Sequence, residues 1–111
     1  MAEMISFNEF KNKLDLRVAK IIVVEDIPGK DKLYKMKIDL GELGERQIVA
    51  GIKQMYPKEQ LEGKTIIVVA NLAPATIAGI ESKGMLLAVQ DGNSIILLTT
   101  NKKARAGLKV E

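Results

Sequence analysis

Apolar residues recur at helical spacing only near the start of the chain; beyond residue 14 they follow the alternation of strands. Ser6-Phe7-Asn8-Glu9 is a capping box, in which the Ser6 hydroxyl and the Glu9 carboxylate each satisfy a backbone donor of a first helical turn. A helix is predicted from Phe7 to near Lys13, with Ile5 and Phe10 placed as a hydrophobic staple. About two turns are too few to persist alone, so packing by Phe7, Phe10 and Leu14 is expected to hold it.

Leu16 and Val18 then share one face of a strand, with Arg17 opposite. Lys20 breaks the alternation ahead of the apolar run Ile21 to Val24, a slip of phase that predicts a bulge or bend in one long strand. Pro28-Gly29-Lys30-Asp31 reads as a turn. Tyr34, Met36, Ile38 and Leu40 alternate with Lys35, Lys37 and Asp39, the pattern of a half-buried second strand. Gly41 to Gly44 turns the chain into a third strand, Glu45–Ile52, expected to pair with the second as a hairpin. Pro57 and Gly63 bracket a short helix, and a fourth strand follows over Lys64–Ala70. Farther on, Met85–Gln90 and Ser94–Thr100 flank the hairpin turn Asp91-Gly92-Asn93. Ala106–Val110 supplies a terminal edge strand.

Between the fourth strand and Leu86 lies a long connection, Asn71 to Met85. Connections of that length in a compact chain are functional or disordered, and the apolar Ile77, Ile80 and Met85 speak for order. An ordered binding loop and a plain crossover between strands both fit.

Five short strands with a helix between the third and fourth match an all-β fold, the OB-fold: a five-stranded Greek-key barrel, here with a short N-terminal helix and extra C-terminal strands. Residues 1–111 are expected to form a single domain. The usual binding surface of such a barrel is strands two and three with the loops after strands one and four. Ile66–Val69 and Ile95–Leu98 are apolar at every position, so their outer faces need cover from the terminal helix and tail or from a second subunit.

Composition narrows the chemistry. The chain has no His and no Cys, which removes the commonest general base, the thiol nucleophile and the usual zinc ligands. Gly79 to Gly84 has the spacing of a phosphate-binding P-loop, but Met85 and Leu86 stand where Lys and Ser or Thr are required. Neither catalysis, a metal nor a cofactor is expected. The apolar runs fall far short of the ~20 residues that span a bilayer, and the N-terminus lacks a signal-peptide pattern, so a cytoplasmic location with no membrane is expected. The net charge of +3 is modest, although Lys102, Lys103, Arg105 and Lys109 crowd the last ten residues.

Asp15-Leu16-Arg17-Val18, Asp31-Lys32-Leu33 with Lys35, Asp39-Leu40-Gly41 and Arg46-Gln47-Ile48-Val49-Ala50-Gly51-Ile52 occur in order along the chain. Gly63-Lys64, Val68-Val69-Ala70-Asn71-Leu72, Pro74 and Gly79-Ile80-Glu81-Ser82-Lys83-Gly84-Met85-Leu86-Leu87-Ala88 follow. Together they resemble the small structure-specific tRNA-binding proteins, similar to the C-terminal domain, or separate β subunit, of methionyl-tRNA synthetase. The resemblance implies a homodimeric, non-catalytic OB-fold that binds tRNA by its folded shape, through phosphates and riboses. The partners implied are tRNA and a methionyl-tRNA synthetase; a chain starting at Met1 and ending soon after the barrel suits a separate polypeptide. The loop after Asn71 departs from the family's more basic pattern, with Ala73, Ala75, Thr76 and Ala78, and Gly29-Lys30 replaces the commoner Asn/His-Ala pair.

With only two Phe and two Tyr, base stacking on aromatics is poorly supplied, which favours phosphate and ribose contact. Candidate RNA contacts are Arg17, Lys32, Lys35, Lys37, Arg46, Asn71, Ser82, Lys83 and Met85. Arg17 equally suits a structural pair with Asp15 or Asp31, Asn71 and Ser82 suit local loop bonding, and Met85 suits core filling. Two other readings share the size and fold: a peptide-binding, chaperone-like dimer and a synthetase assembly module with secondary RNA binding.

Overall fold

The computed structural model describes residues 1–111. Helix α1, Phe7–Lys13, begins at the capping box: Ser6 Oγ accepts the Glu9 N–H at 3.0 Å and the Glu9 carboxylate accepts the Ser6 N–H at 3.2 Å. The backbone donor of Ser6, then the Lys13 ammonium, hold the Glu9 carboxyl below its ordinary range. The expected packing of this helix is corrected: none of its residues is buried, and Phe7 is 73% exposed. Caps hold it instead. Asn71 donates its amide to the Lys13 carbonyl at 2.8 Å and accepts the Asp15 N–H at 2.9 Å, tying the helix's end to the exit of the adjacent strand, Thr65–Val69.

The strands are β1 (Leu16–Ile27), β2 (Lys30–Asp39), β3 (Glu45–Ala50), β4 (Thr65–Val69), β5 (Ala75–Ile77), β6 (Ile80–Ser82), β7 (Met85–Leu86), β8 (Ala88–Asp91) and β9 (Ser94–Leu97). Helix α2, Lys58–Leu61, lies between β3 and β4 as expected. The main sheet has five antiparallel strands in the order β3-β2-β1-β4-β7. The predicted slip in β1 is a shift of register between Ile21 and Val23. It lets one strand serve two partners: Leu16–Lys20 pairs with β4 and Lys20–Ile27 with β2. Ile21, Met36, Ile38, Ile48 and Ile66 point into one core and are completely buried.

Where β2 has ended, the C-terminal tail takes its place beside β1. Val18 donates to the Leu108 carbonyl at 2.9 Å, Gly107 donates to the Val18 carbonyl at 2.7 Å, and Val110 donates to the Leu16 carbonyl at 2.8 Å. The expected terminal strand is thereby reduced to a bridge between Arg17 and Lys109. Gly107 adopts φ +93° where it crosses Leu40 and Gly41; a Cβ there would lie 2.6 Å from the Leu40 carbonyl oxygen. Only glycine fits so close a crossing.

Three expectations change. The connection Asn71 to Met85 contains a hairpin, β5 with β6, closed by Ala78 and Gly79, both at positive φ. The predicted strand Met85–Gln90 breaks at Leu87: β7 pairs with β4, whereas β8 pairs with β9 across the Asp91–Asn93 turn. Finally, strand pairing does not close a Greek-key barrel. Between β3 and β7 the chain bends at Gly84, φ +125°, and the link there is the Lys83 N–H donating to the Gln47 carbonyl at 2.9 Å. The result is a small, mostly β fold. Both faces of β4 are buried, but Val89 and Ile96, directly opposite one another, are each 50% exposed. No helix is long and apolar enough to cross a membrane.

Candidate nucleic-acid interface

Alternation along β2 sends Tyr34, Met36 and Ile38 into the core and turns Lys35 and Lys37 to the outer face. On β3 the same face carries Val49, opposite Lys35, and Gln47, opposite Lys37. The β5–β6 hairpin folds over this part of β3. It is tethered by Gln47 Nε2 donating to the Glu81 carbonyl at 3.1 Å, and by the Val49 N–H donating to Ser82 Oγ at 3.0 Å. Beneath the hairpin is a mainly apolar cavity of about 360 Å³ lined by Val49, Ile52, Leu72, Ile77, Met85 and others. The next concavity along, lined by Lys32, shares Gly51 and Ile95 with it.

The cations of this face are weakly committed. Lys35 lies 3.7 Å from Glu25, Lys37 3.9 Å from Glu45 and Lys83 3.5 Å from Glu81. Lys32 pairs with no carboxylate. Loose pairs in contact with water contribute little and yield readily to a polyanion.

The other candidates are bound internally. Arg17 donates from Nε to Asp15 at 2.6 Å and from Nη1 to the Gly107 carbonyl at 3.0 Å, clamping the tail to β1. Arg46 donates from Nη1 to the Ala70 carbonyl, fixing the exit of β4. Asn71 joins the end of α1 to the start of β1. Ser82 is buried, accepting from Val49 and donating to the Gly84 carbonyl at 3.3 Å. Met85, in contrast, is 48% exposed on the wall of the cavity. The nine candidates thus divide into Lys32, Lys35, Lys37, Lys83 and Met85, which make at most loose ion pairs, and four residues engaged in hydrogen bonds within the fold. Gln47, Val49, Leu72 and Ile77 were absent from the sequence-based set. Gln47 and Val49 could have been found there, because alternation along the third strand puts both on one face of the expected hairpin.

Away from this face, Asp26 accepts from Lys58 at 2.9 Å and lies 3.1 Å from Lys53. Hydrogen bonds from Lys58 and then Lys53 hold its carboxyl below the ordinary value of 3.8, and Asp26 in turn raises Lys58. The cluster fastens the β1–β2 hairpin to the segment after β3. No group of three or more His, Cys, Asp or Glu is arranged to hold a metal ion.

A family described as "Putative tRNA binding domain" matches residues 16–109. The methionine–tRNA ligase of Thermococcus kodakarensis is 48% identical over 108 residues, which is 97% of this chain but 14% of the ligase. This chain therefore spans about one seventh of that relative's length. Among solved structures, a MetRS related protein from Pyrococcus horikoshii superposes with a TM-score of 0.89 at 34% identity, covering 99% of this chain and all of that one. The CsaA chaperone protein from Picrophilus torridus superposes with a TM-score of 0.87 at 34% identity, covering 97% of this chain and all of its own. The match of the family across nearly the whole sheet, tail included, makes this chain a member of the tRNA-binding domain family.

Proposed function

We propose that this chain is a non-catalytic domain that binds folded tRNA through the outer face of β2 and β3, contacting phosphates and riboses rather than reading sequence. The observation that carries the reading is the pair Lys35 and Lys37 on the outer face of β2, held only by loose ion pairs at 3.7 and 3.9 Å, with the unpaired Lys32 beside the adjoining concavity. Lys83 and Met85 extend the contact surface at the hairpin's base. Arg17, Arg46, Asn71 and Ser82 act as positioning residues: they hold the tail, the exit of β4, the helix end and the hairpin that shape this face.

In this reading residues 1–111 are one OB-type domain, with the Lys83–Gln47 bond standing in for the last ladder of the barrel. The domain works in the cytoplasm as a homodimer, delivering tRNA affinity to a methionyl-tRNA synthetase. The exposed Val89 and Ile96 pair on β8 and β9 supplies an apolar surface for such a second copy.

The test is a titration of the protein against several folded tRNAs and an unstructured RNA of similar length, near physiological salt. Similar affinity for every tRNA, with clear preference over the unstructured strand, is expected. Equal or negligible binding to all of them refutes the reading.

A further inference from the structure

We infer that the cavity between the end of β3 and the β5–β6 hairpin receives one unstacked nucleobase of the bound tRNA. This rests on the tRNA-binding reading and goes beyond phosphate and ribose contact. The cavity, about 360 Å³, is in the size range of small-ligand sites. Its floor is the buried Val49 and Ile52, while Leu72, Ile77 and Met85 stand around the mouth as large apolar side chains left in water. Met85 is held in the main sheet opposite Val69, and the hairpin is tied down at Glu81, Ser82 and Lys83, so the slot is built before any ligand arrives.

Charge decides which flat apolar group belongs there. Lys35 is the cross-strand neighbour of Val49, Lys37 the neighbour of Gln47, and Lys32 flanks the adjoining concavity. Weakly paired ammonium groups on the strand next to an apolar slot suit a base joined to a polyanionic backbone. An apolar peptide side chain would fill the slot but leave the lysines without a counterpart. Bases flipped out of a stack pack between apolar as well as aromatic side chains, and a thioether such as Met85 makes favourable contacts with an aromatic ring. The alternation that directs the Val49 N–H and the Gln47 carbonyl toward the hairpin directs the Val49 carbonyl the same way. It offers an acceptor to an exocyclic amino group.

The experiment follows the methyl group of Met85 by NMR in the full chain, assigned through Met85→Leu, while folded tRNA is added. Separately, tRNA affinity and its salt dependence are measured for Ile77→Ala with Met85→Ala. A nucleobase in the slot moves the Met85 methyl upfield by its ring current. The double variant then loses roughly 5- to 150-fold in affinity, the range of one base stack, with an unchanged salt slope. Thermal unfolding confirms that both variants remain folded. A tRNA that binds without an upfield shift, or with undiminished affinity for the folded double variant, overturns the inference and leaves the tRNA reading intact. Failure of wild-type protein to bind tRNA overturns both. A shift produced by an apolar peptide lacking aromatic residues, and none by tRNA, assigns the slot to peptide instead and also overturns the inference.

Discussion

Two neighbouring parts of the sheet carry basic side chains and use them in opposite ways. Along the edge of β1 at Leu16–Val18, the Arg17 guanidinium is consumed by Asp15 and the Gly107 carbonyl, and the tail crosses Leu40 within glycine-only distance. On the outer face of β2, Lys35 and Lys37 meet carboxylates only at 3.7 and 3.9 Å, and Lys32, nearer the β1–β2 turn, meets none. The arginines' planar forks suit fixed carbonyl and carboxylate partners, whereas the lysines' compact charges stay hydrated and exchangeable. Basic residues adjacent in the fold can therefore divide cleanly into those that make the surface and those that offer it.

The sharpest way to break the first region is Gly107→Val. The new Cβ collides with the Leu40 carbonyl and demands a left-handed backbone, so a loss of roughly 2–4 kcal/mol is expected in chemical denaturation. Arg46→Ala comes next. It strips the Ala70 carbonyl of its donor and is expected to cost about 1–3 kcal/mol of stability, with no change in the salt dependence of RNA binding. If Arg46→Ala instead flattens that slope with stability intact, Arg46 belongs among the phosphate contacts.

The second region should respond the other way. Lys35→Ala with Lys37→Ala is expected to stay within about 0.5 kcal/mol of wild type at each position, judged by urea midpoints. The same pair should weaken tRNA binding and flatten the slope of log affinity against log salt by roughly 1.4–1.8. The smallest effect is a matter of pH. Because the folded state depresses the Asp26 carboxyl, its stabilisation is present above the ordinary value of 3.8 and disappears as pH falls through the lower folded value. Asp26→Asn should flatten the acid limb of the stability curve there and leave RNA binding at neutral pH unchanged, as followed by thermal melts.

The elements with strong local signals were legible: the capping box, the slip in β1, the alternating β2 and the Asp91–Asn93 turn all appear where the sequence puts them. The β5–β6 hairpin was not legible, because strands of only three residues are too short to carry a usable period. Nor was the break at Leu87, since a continuous apolar run looks the same whether it pairs with one neighbour or two. For the site, alternation placed Lys35 and Lys37 correctly on the outer phase. The fate of Arg17, Arg46, Asn71 and Ser82 depends on carbonyls and amides far away in sequence, such as Gly107 for Arg17 and Lys13 for Asn71. Such partners leave no trace in local spacing.

The docking of the tail beside β1 brings Lys109 close enough to α1 to donate to the Lys11 carbonyl at 3.3 Å, with Val110 and Glu111 bordering Phe7 and Phe10. The start of α1 and the end of the chain therefore meet at one corner of the molecule. A short flexible peptide can join them, and the chain can be reopened at the exposed Gly92–Asn93 turn, yielding a circular permutant that keeps every strand neighbour except the β8–β9 loop. In that rearranged chain β9 would stand first in the sequence and β8 last, with the lysine face of β2 left untouched between them.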